Sequence, residues 1–263
     1  MLDYEPNQIL VKKTYKVVGT RPIRHDGTDK VTGAAKYGAD YNPSRLLYGK
    51  VLRSPHAHAV VRSIDTTEAE NVPGVMAVVT SDDFSYFAEN YGYKQGARKS
   101  VEALKFLRDN ILASDKVLYK GHAVAAVAAV NPNIAEEALA LIKIVYEILP
   151  PVLTATEGAK GCASLLHENL NTDEMGGGDS NLSNVAKRFH HRLGDLNQGF
   201  AQSDVIIERE FKAKTVHQGY IEPHAAVAFW NQDGKLTIWC STQGTFVVRD
   251  LISDMLEVPV SRI

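Results

Sequence analysis

The stretch HAVAAVAAVNPNIAEEALALIKIVYEIL, residues 122–149, decides the fold class. Its first part is an unbroken run of small apolar residues, which is typical of a strand buried on both faces. Asn133, with Glu136 three places later, has the spacing of a capping box and predicts the start of a helix. Residues 143–149 alternate again between apolar and polar side chains, as in a strand. The apolar positions at helical spacing are Ala135, Ala138, Leu139 and Ile142. The stretch therefore predicts a β-α-β unit whose two strands run in parallel with a right-handed crossover.

Short strands and helices extend outward from this unit on its N-terminal side. Residues 47–54 and 58–65 alternate like half-buried strands and are separated by a Ser-Pro turn signal. A short helix is predicted at 68–71, followed by a Pro-Gly turn, a strand at 75–80 and a polar cap at 81–83. Residues 84–110 are interpreted as an insertion with a helix that begins at Ser100. The pattern predicts an α+β (mixed α/β) fold.

A second group of elements follows Pro150-Pro151. Residues 169–184 are rich in Gly, Asn and Ser and indicate a linker. Beyond it the sequence predicts a short helix at 194–201 and strands at 204–214 and 225–241, the last forming a hairpin at Asp233-Gly234. An amphipathic helix follows and ends at Val258-Pro259, with Phe246, Val247, Leu251 and Met255 on its apolar side.

Composition excludes several classes of function. The 29 Lys and Arg residues nearly balance the 31 Asp and Glu residues, which does not favour a nucleic-acid or anionic membrane partner. No stretch has the roughly 18 apolar residues of a membrane helix, and no signal peptide opens the chain, so a cytoplasmic protein is expected. Cys162 and Cys240 stand far apart, so an iron–sulfur cluster held by cysteines requires another chain.

Common catalytic signatures are absent from the sequence, and three weaker patterns favour ordinary structure. Gly96–Ser100 looks like the end of a P-loop but lacks the first glycine, and the Gly176 triplet reads as a linker. His56 with His58, and His217 with Glu222 and His224, have a spacing that a metal uses on a strand face. Four ligands of matching geometry are not evident, so no protein-ligated metal is predicted.

The segment Val216–His224 concentrates polar side chains between two apolar stretches. One interpretation is a corner between two strands, in which Gln218 and Glu222 bond to backbone amides. The other is a catalytic role, because buried polar groups are either hydrogen-bonded or functional. A self-contained acid–base pair of His217 and Glu222 is a third, less favoured hypothesis.

Several segments together resemble the molybdenum hydroxylases of the xanthine dehydrogenase and aldehyde oxidase family. The resemblance lies in their letters and in their order along the chain. It implies an a/b hammerhead domain followed by the beginning of the first, incomplete molybdopterin-binding domain. The segments are VVGTRPIRHDGTDKVTGAAKYGADY (17–41), LYGKVLRSPHAHAVVRSIDTTEAENVPGVMAVVTSDD (47–83), VLYKGHAVAAVAAVNPNIAEEALALIKIVYEILPPVLTATEGA (117–159), HQGYIEPHAAVAFW (217–230) and LTIWCSTQGTFVVRDLISDMLEVPVSRI (236–263). The expected organisation is an N-terminal arm at 1–30, the hammerhead domain at 31–168, a linker at 169–190 and the molybdopterin-binding part at 191–263.

The resemblance also implies cofactors, partners and site residues. A molybdenum–pterin cofactor is expected in the complete assembly, with [2Fe-2S] clusters and FAD on partner subunits, a small-molecule substrate, and a remaining molybdopterin-binding chain or domain. The glycine-rich loop that reaches the cofactor and the general-base glutamate are expected after Ile263. Candidate catalytic residues are then Gln218 and Glu222, although the family's glutamine position aligns with Val216; Tyr220 and Gln243 are candidates for the cavity wall. The alternative is a non-catalytic binding or assembly protein that reuses the hammerhead fold.

Overall fold

The computed structural model describes residues 16–18, 20–84, 107–168, 173–174, 183–188 and 191–263. Contacts between Cα atoms divide the chain into two compact units, each described by itself. The larger unit contains residues 43–223 and 244–263. The smaller unit contains residues 1–42 and 224–243.

Two antiparallel three-stranded sheets form the larger unit. The strands in chain order are β1 (Tyr48–Arg53), β2 (Ala59–Asp65), β3 (Val75–Thr80), β4 (Lys116–Val117), β5 (Ala123–Ala129) and β6 (Lys143–Ile148). One sheet has the order β1-β5-β3, with Ala126 of β5 opposite both Val51 and Val79. The other has the order β4-β2-β6. The strands predicted on both sides of the Ser-Pro turn and at 75–80 are confirmed.

Helix α1 (Gly27–Thr32) lies in the smaller unit, and the five helices named next lie in the larger unit. These are α2 (Thr67–Glu70), α3 (Pro132–Leu141), α4 (Ala155–Gly158), α5 (Leu196–Ala201) and α6 (Thr245–Leu256). Within the described ranges, no helix is long and apolar enough to cross a membrane.

Helix α3 begins two residues earlier than the capping-box pattern predicts. Asn131, not Asn133, is its N-cap: the Asn131 side chain accepts a hydrogen bond from the Ile134 amide at 2.9 Å. Pro132 then occupies the first helical position, where its missing N–H group is not needed. The residue before a proline is held in an extended conformation, as Asn131 is, so the cap must precede Pro132.

The prediction of a parallel β-α-β unit is wrong. Strand β5 lies between β1 and β3, whereas β6 pairs with β2 in the other sheet, and all of these pairings are antiparallel. The error has a physical cause, because a central antiparallel strand covered on both faces shows the same continuous apolar run as a parallel one.

The core lies on both faces of β5. Ala125, Val127 and Ala129 pack on one face against Ala135 and Ala138 of α3. On the other face Val124 packs with buried residues of the second sheet and its neighbourhood. Those partners are Ala59, Ala113 and Val117. Small side chains at β5 therefore allow a helix and a sheet to approach the same strand closely.

The predicted insertion is described only at its two ends. Its expected helix start at Ser100 lies outside the described residues, while residues 107–111 are helical. Leu107 and Phe84 contact Met255, which is the buried residue of α6. These contacts place both described ends of the insertion against the C-terminal helix within the larger unit.

Beyond the linker, the predicted short helix is confirmed as α5, whose N-cap Asp195 accepts hydrogen bonds from the amides of Asn197 and Gln198. Within the residues predicted as a linker, β7 (Asp173–Glu174) pairs with β8 (Lys187–Arg188) in parallel. The predicted strand at 204–214 is wrong. These residues are exposed and form no strand. A strand needs a hydrogen-bonding neighbour, and no described strand pairs with them.

The smaller unit is built around a hairpin of β9 (Ala226–Trp230) and β10 (Leu236–Cys240). Its turn lies at Asp233-Gly234, as predicted, and Gly234 has the positive φ of 78° that such a turn requires. Tyr41 stacks on Trp239 with ring centroids 4.9 Å apart. A side chain at Gly38 would meet the Ala225 carbonyl at 3.0 Å, so the glycine allows the N-terminal segment to lie close to the hairpin.

Candidate functional site

The segment Val216–Pro223 of the larger unit is an exposed loop. The Gly219 amide donates a hydrogen bond to His217 Nδ1 at 3.0 Å, and the His217 and Tyr220 rings lie 5.2 Å apart. Gly219 has a φ of +64°, which turns the chain sharply between them. The loop therefore holds its own compact turn and presents its side chains outward.

Gln218 and Glu222 both lie in this loop and are exposed. Only the second strand of the predicted strand-to-strand corner is present, since β9 begins at Ala226 after the loop. The first strand is wrong, because residues 203–215 before the loop form no strand. His217, the proposed partner of Glu222 in an acid–base pair, is exposed as well. The acid–base pair of His217 and Glu222 stays a hypothesis.

The two cavity-wall candidates lie in different units. Tyr220 belongs to the larger unit and is 42% exposed, whereas Gln243 follows β10 in the smaller unit and is exposed. Their assignment to one cavity remains a prediction.

The histidines at metal-like spacing near β2 have structural partners. His58 is buried, and its Nδ1 donates to the Pro150 carbonyl at 2.8 Å, which joins the start of β2 to the end of β6. The His56 ring meets Tyr146 edge-on at 5.0 Å. Among the described residues, no three His, Cys, Asp or Glu side chains converge as a metal site. The Gly96–Ser100 pattern and the Gly176 triplet lie outside the described residues.

One buried polar residue, His122, was missed by the sequence analysis. Its side chain is fully buried, and both ring nitrogens have backbone partners. Burial lowers the pKa of His122, while the Asp109 and Asn110 backbone and the Asp109 charge oppose that change. The available signal was a titratable residue at the head of the apolar run 122–130. A polar side chain buried there needs a hydrogen-bonding partner within the protein.

The described residues do not by themselves form a seat for a molybdenum–pterin cofactor. The loop at Val216–Pro223 offers amide, imidazole and backbone donors of a suitable chemical type. Its side chains are exposed, however, and a cofactor site encloses its ligand with polar groups placed in a mostly apolar wall.

Comparison with known proteins agrees with the architecture. The family model of the aldehyde oxidase and xanthine dehydrogenase a/b hammerhead domain matches residues 32–150, and the model of the molybdopterin cofactor-binding domain matches residues 179–263. The nicotinate dehydrogenase large molybdopterin subunit of Eubacterium barkeri is 31% identical over 95% of this chain and 53% of its own length. The gamma subunit of the 6-hydroxypseudooxynicotine dehydrogenase complex of Paenarthrobacter nicotinovorans is 32% identical over 92% of this chain and 29% of its own length.

A solved structure shows the same fold. The reconstituted CO dehydrogenase from Oligotropha carboxidovorans superposes with a TM-score of 0.72 at 26% identity, over 93% of this chain and 30% of that one. The predicted mixed α/β hammerhead fold is thus confirmed, and the chain spans about half or less of the length of these relatives. The chain belongs to the aldehyde oxidase and xanthine dehydrogenase family and matches the N-terminal part of its molybdenum-binding subunit.

Proposed function

We propose that this chain supplies the hammerhead scaffold and one wall of the substrate and cofactor cavity in a molybdenum-dependent hydroxylase. The observation that carries the proposal is the order of the two family matches, with the hammerhead model at 32–150 followed by the molybdopterin model at 179–263. The proposed organisation is an arm at 1–30, the hammerhead domain at 31–168, a linker at 169–190 and the molybdopterin-binding part from 191.

The loop of the larger unit contributes Gln218 and Glu222 as candidate catalytic residues and Tyr220 as a candidate for the wall. Gln243, in the smaller unit, is a separate candidate for the wall. Two observations support the assignment: these residues lie within the molybdopterin match at 179–263, and their side chains donate and accept hydrogen bonds. When bound, the cofactor supplies the redox chemistry that hydroxylates an aldehyde carbon or a carbon next to nitrogen with oxygen from water. The chain's own task is to position groups around the substrate and to exclude water.

Catalysis belongs, in this proposal, to an assembly. Its other members are the polypeptide or domain with the remaining molybdopterin-binding part, an iron–sulfur subunit and a flavin subunit. Two of the relatives are described as subunits, and this chain covers 53% of one and 29% of the other, so related molybdenum-binding chains differ widely in length. We place the assembly in the cytoplasm, where free cysteines such as Cys162 and Cys240 persist.

Native mass spectrometry tests the assembly. The chain is co-expressed with the polypeptide that carries the remaining molybdopterin-binding part, and a one-to-one complex is expected. An exposed charge on the apolar side of α6, introduced by Phe246→Asp, should weaken that complex, whereas Val17→Asp, at another exposed apolar position, should leave it intact. Two separate species for the unmodified pair would contradict the proposal.

A further inference from the structure

Residues 107–122 belong to the hammerhead match, and their first residue contacts the part of the larger unit that matches the molybdopterin model. At one end Leu107, with Phe84, contacts Met255 of α6. Phe84 and Leu107 lie within the hammerhead match, and Met255 lies within the molybdopterin match. At the other end His122 leads directly into β5, the central strand of the core. The contact of Leu107 with α6 therefore depends on the interactions that fix residues 107–122.

The ring of His122 makes two hydrogen bonds to the backbone of this segment. Its Nε2 lies 2.8 Å from the Asp109 carbonyl, and its Nδ1 lies 3.2 Å from the Leu118 amide nitrogen. A carbonyl only accepts and an amide N–H only donates, so Nε2 carries the proton and Nδ1 is the bare acceptor. The two bonds thus require the neutral ring. They close the loop between the helical residues 107–111 and the strand β5.

Protonation breaks this arrangement. A proton on Nδ1 would face the N–H group of Leu118, so one hydrogen bond is lost and two donors meet beside a ring that has no exposed surface. Burial outweighs the backbone groups and the Asp109 charge that favour the cation. The Tyr119 ring also faces the imidazole, stacked on it with centroids 4.4 Å apart. Asp109 favours the cation, but its carboxylate is engaged with Arg108 at 3.0 Å and with Ser114. The Arg53 guanidinium, which donates to the neighbouring Gly121 carbonyl, and Lys120 on the adjoining turn are cations.

We propose that His122 is an acid-sensitive anchor, whose neutral ring keeps residues 107–122 closed and thereby holds the hammerhead core against α6 of the molybdopterin-binding part. Around and above neutral pH the anchor is closed. In acid the ring takes up a proton on Nδ1, the hydrogen bond from the Leu118 amide is lost, the segment opens, and Leu107 loses its fixed place on Met255. This device does not depend on the proposed catalytic role.

Hydrogen exchange of the full-length chain tests the anchor between pH 7.5 and pH 5.0, after correction for the intrinsic exchange rate. The unfolded ring has a pKa of about 6.5. Opening that takes up one proton therefore becomes more favourable as the pH falls below that value, by up to tenfold per pH unit. We expect amides 109–122 to lose protection with this slope and α6 to follow. Protection that is independent of pH would overturn the proposal.

Two variants separate the anchor from general acid effects. His122→Gln keeps a donor for the Asp109 carbonyl but cannot be protonated, so its exchange in 109–122 should not depend on pH in this range. His191→Gln removes an exposed histidine and should keep the slope of the unmodified chain. A slope that persists in His122→Gln would refute the anchor.

A direct measurement covers the case in which His122→Gln does not fold. Nitrogen-15 NMR of the unmodified chain reports which ring nitrogen carries the proton. We expect a single Nε2–H form of His122 at pH 7.5, and a cationic ring in acid only in molecules whose 109–122 amides have lost protection. A cationic His122 with full protection of those amides would overturn the proposal equally.

Discussion

Asn131 is an extended residue, with φ −151° and ψ 163°, whose side chain bonds to the first turn of α3. An N-cap of this type satisfies an amide that has no partner within the helix. Helix α3 carries Ala135 and Ala138 into the main core cluster. The cap therefore contributes to the stability of the helix and to that of the core beneath it.

Replacing Asn131 by alanine should lower the free energy of unfolding by about 1 kcal/mol, because the Ile134 amide loses its acceptor. Urea denaturation followed by circular dichroism measures the change. Asn133→Ala is the matched control, since Asn133 is exposed within the helix, and its effect should stay within about 0.5 kcal/mol. Equal losses in the two variants would contradict the assignment of the cap.

Gly74 offers a second test at the scale of one residue. It has a φ of +95°, and a Cβ there would lie 2.9 Å from Ile134 Cδ1 and 3.0 Å from Val130 Cγ2. Gly74→Ala should therefore destabilise the chain by about 1–3 kcal/mol through backbone strain and crowding. Gly49→Ala, in β1 with nothing within 4 Å of the added carbon, should be neutral or stabilising in the same thermal melt. A neutral Gly74→Ala would contradict the turn geometry.

Single residues also show where sequence reasoning reaches its limit. The letters around Pro132 contain two asparagines, and the capping-box spacing favours Asn133, whereas the steric demand of the proline selects Asn131. His122 gave a weak signal because one polar letter at the edge of an apolar run does not reveal its carbonyl and amide partners. Those partners are brought together only by the folded segment.

At the scale of elements, strand β5 carries the fold because both of its faces are covered. Val127 is 1% exposed and packs in the cluster that includes α3. Its replacement by alanine removes two buried methyl groups and leaves a cavity, for a loss of roughly 2 kcal/mol. Val145→Ala is the matched control, because Val145 in β6 is 57% exposed and should lose less than about 1 kcal/mol. Urea midpoints at a constant m-value compare the two, and a larger loss at Val145 would contradict the core assignment.

Most elements near β5 were predictable from periodicity, but their pairing was not. Alternation identified β1, β2 and β6, the stretch after the Pro-Gly turn identified β3, and the helical spacing identified α3. Periodicity within one strand does not say which strand lies beside it, and so the parallel pairing of β5 with β6 was wrong. The alternation at 204–214 was read as a strand for the same reason, although no described strand pairs with it.

At the scale of the whole molecule, several large apolar side chains are exposed within the larger unit. Ile207 is 74% and Phe211 89% exposed, and on α6 Phe246 is 71% and Val247 60% exposed. Exposed apolar surface of this kind marks an interaction surface or favours aggregation. It supports the proposal that the chain functions as part of an assembly.

The isolated chain should therefore self-associate at high concentration. Light scattering should give an average mass above the 28.9 kDa of one chain, and the double variant Phe211→Ser/Phe246→Ser should lower it toward that value. Val17→Ser, at a position 67% exposed in the smaller unit, is the control and should change the mass little. A monodisperse monomer of the unmodified chain at every concentration would contradict this expectation.

The family was readable from the sequence at this scale, because ordered segments along most of the chain resemble one family and the two family models match in the same order. The candidate site was not. Gln218, Tyr220 and Glu222 lie in an exposed loop. The sequence of this loop does not specify which groups surround it in an assembly. A cavity wall acquires its electrostatics from the groups that close it.

Molybdenum and pterin content per mole of chain is the most direct test of the central claim, that this chain is scaffold and wall for a cofactor site completed by other residues. Plasma mass spectrometry measures the metal, and the fluorescence of the oxidised pterin measures the cofactor, in the chain alone and in its complex with the remaining molybdopterin-binding part. We expect far less than one molybdenum per chain when the chain is alone and about one in the complex. Stoichiometric molybdenum and pterin in the isolated chain would contradict the claim.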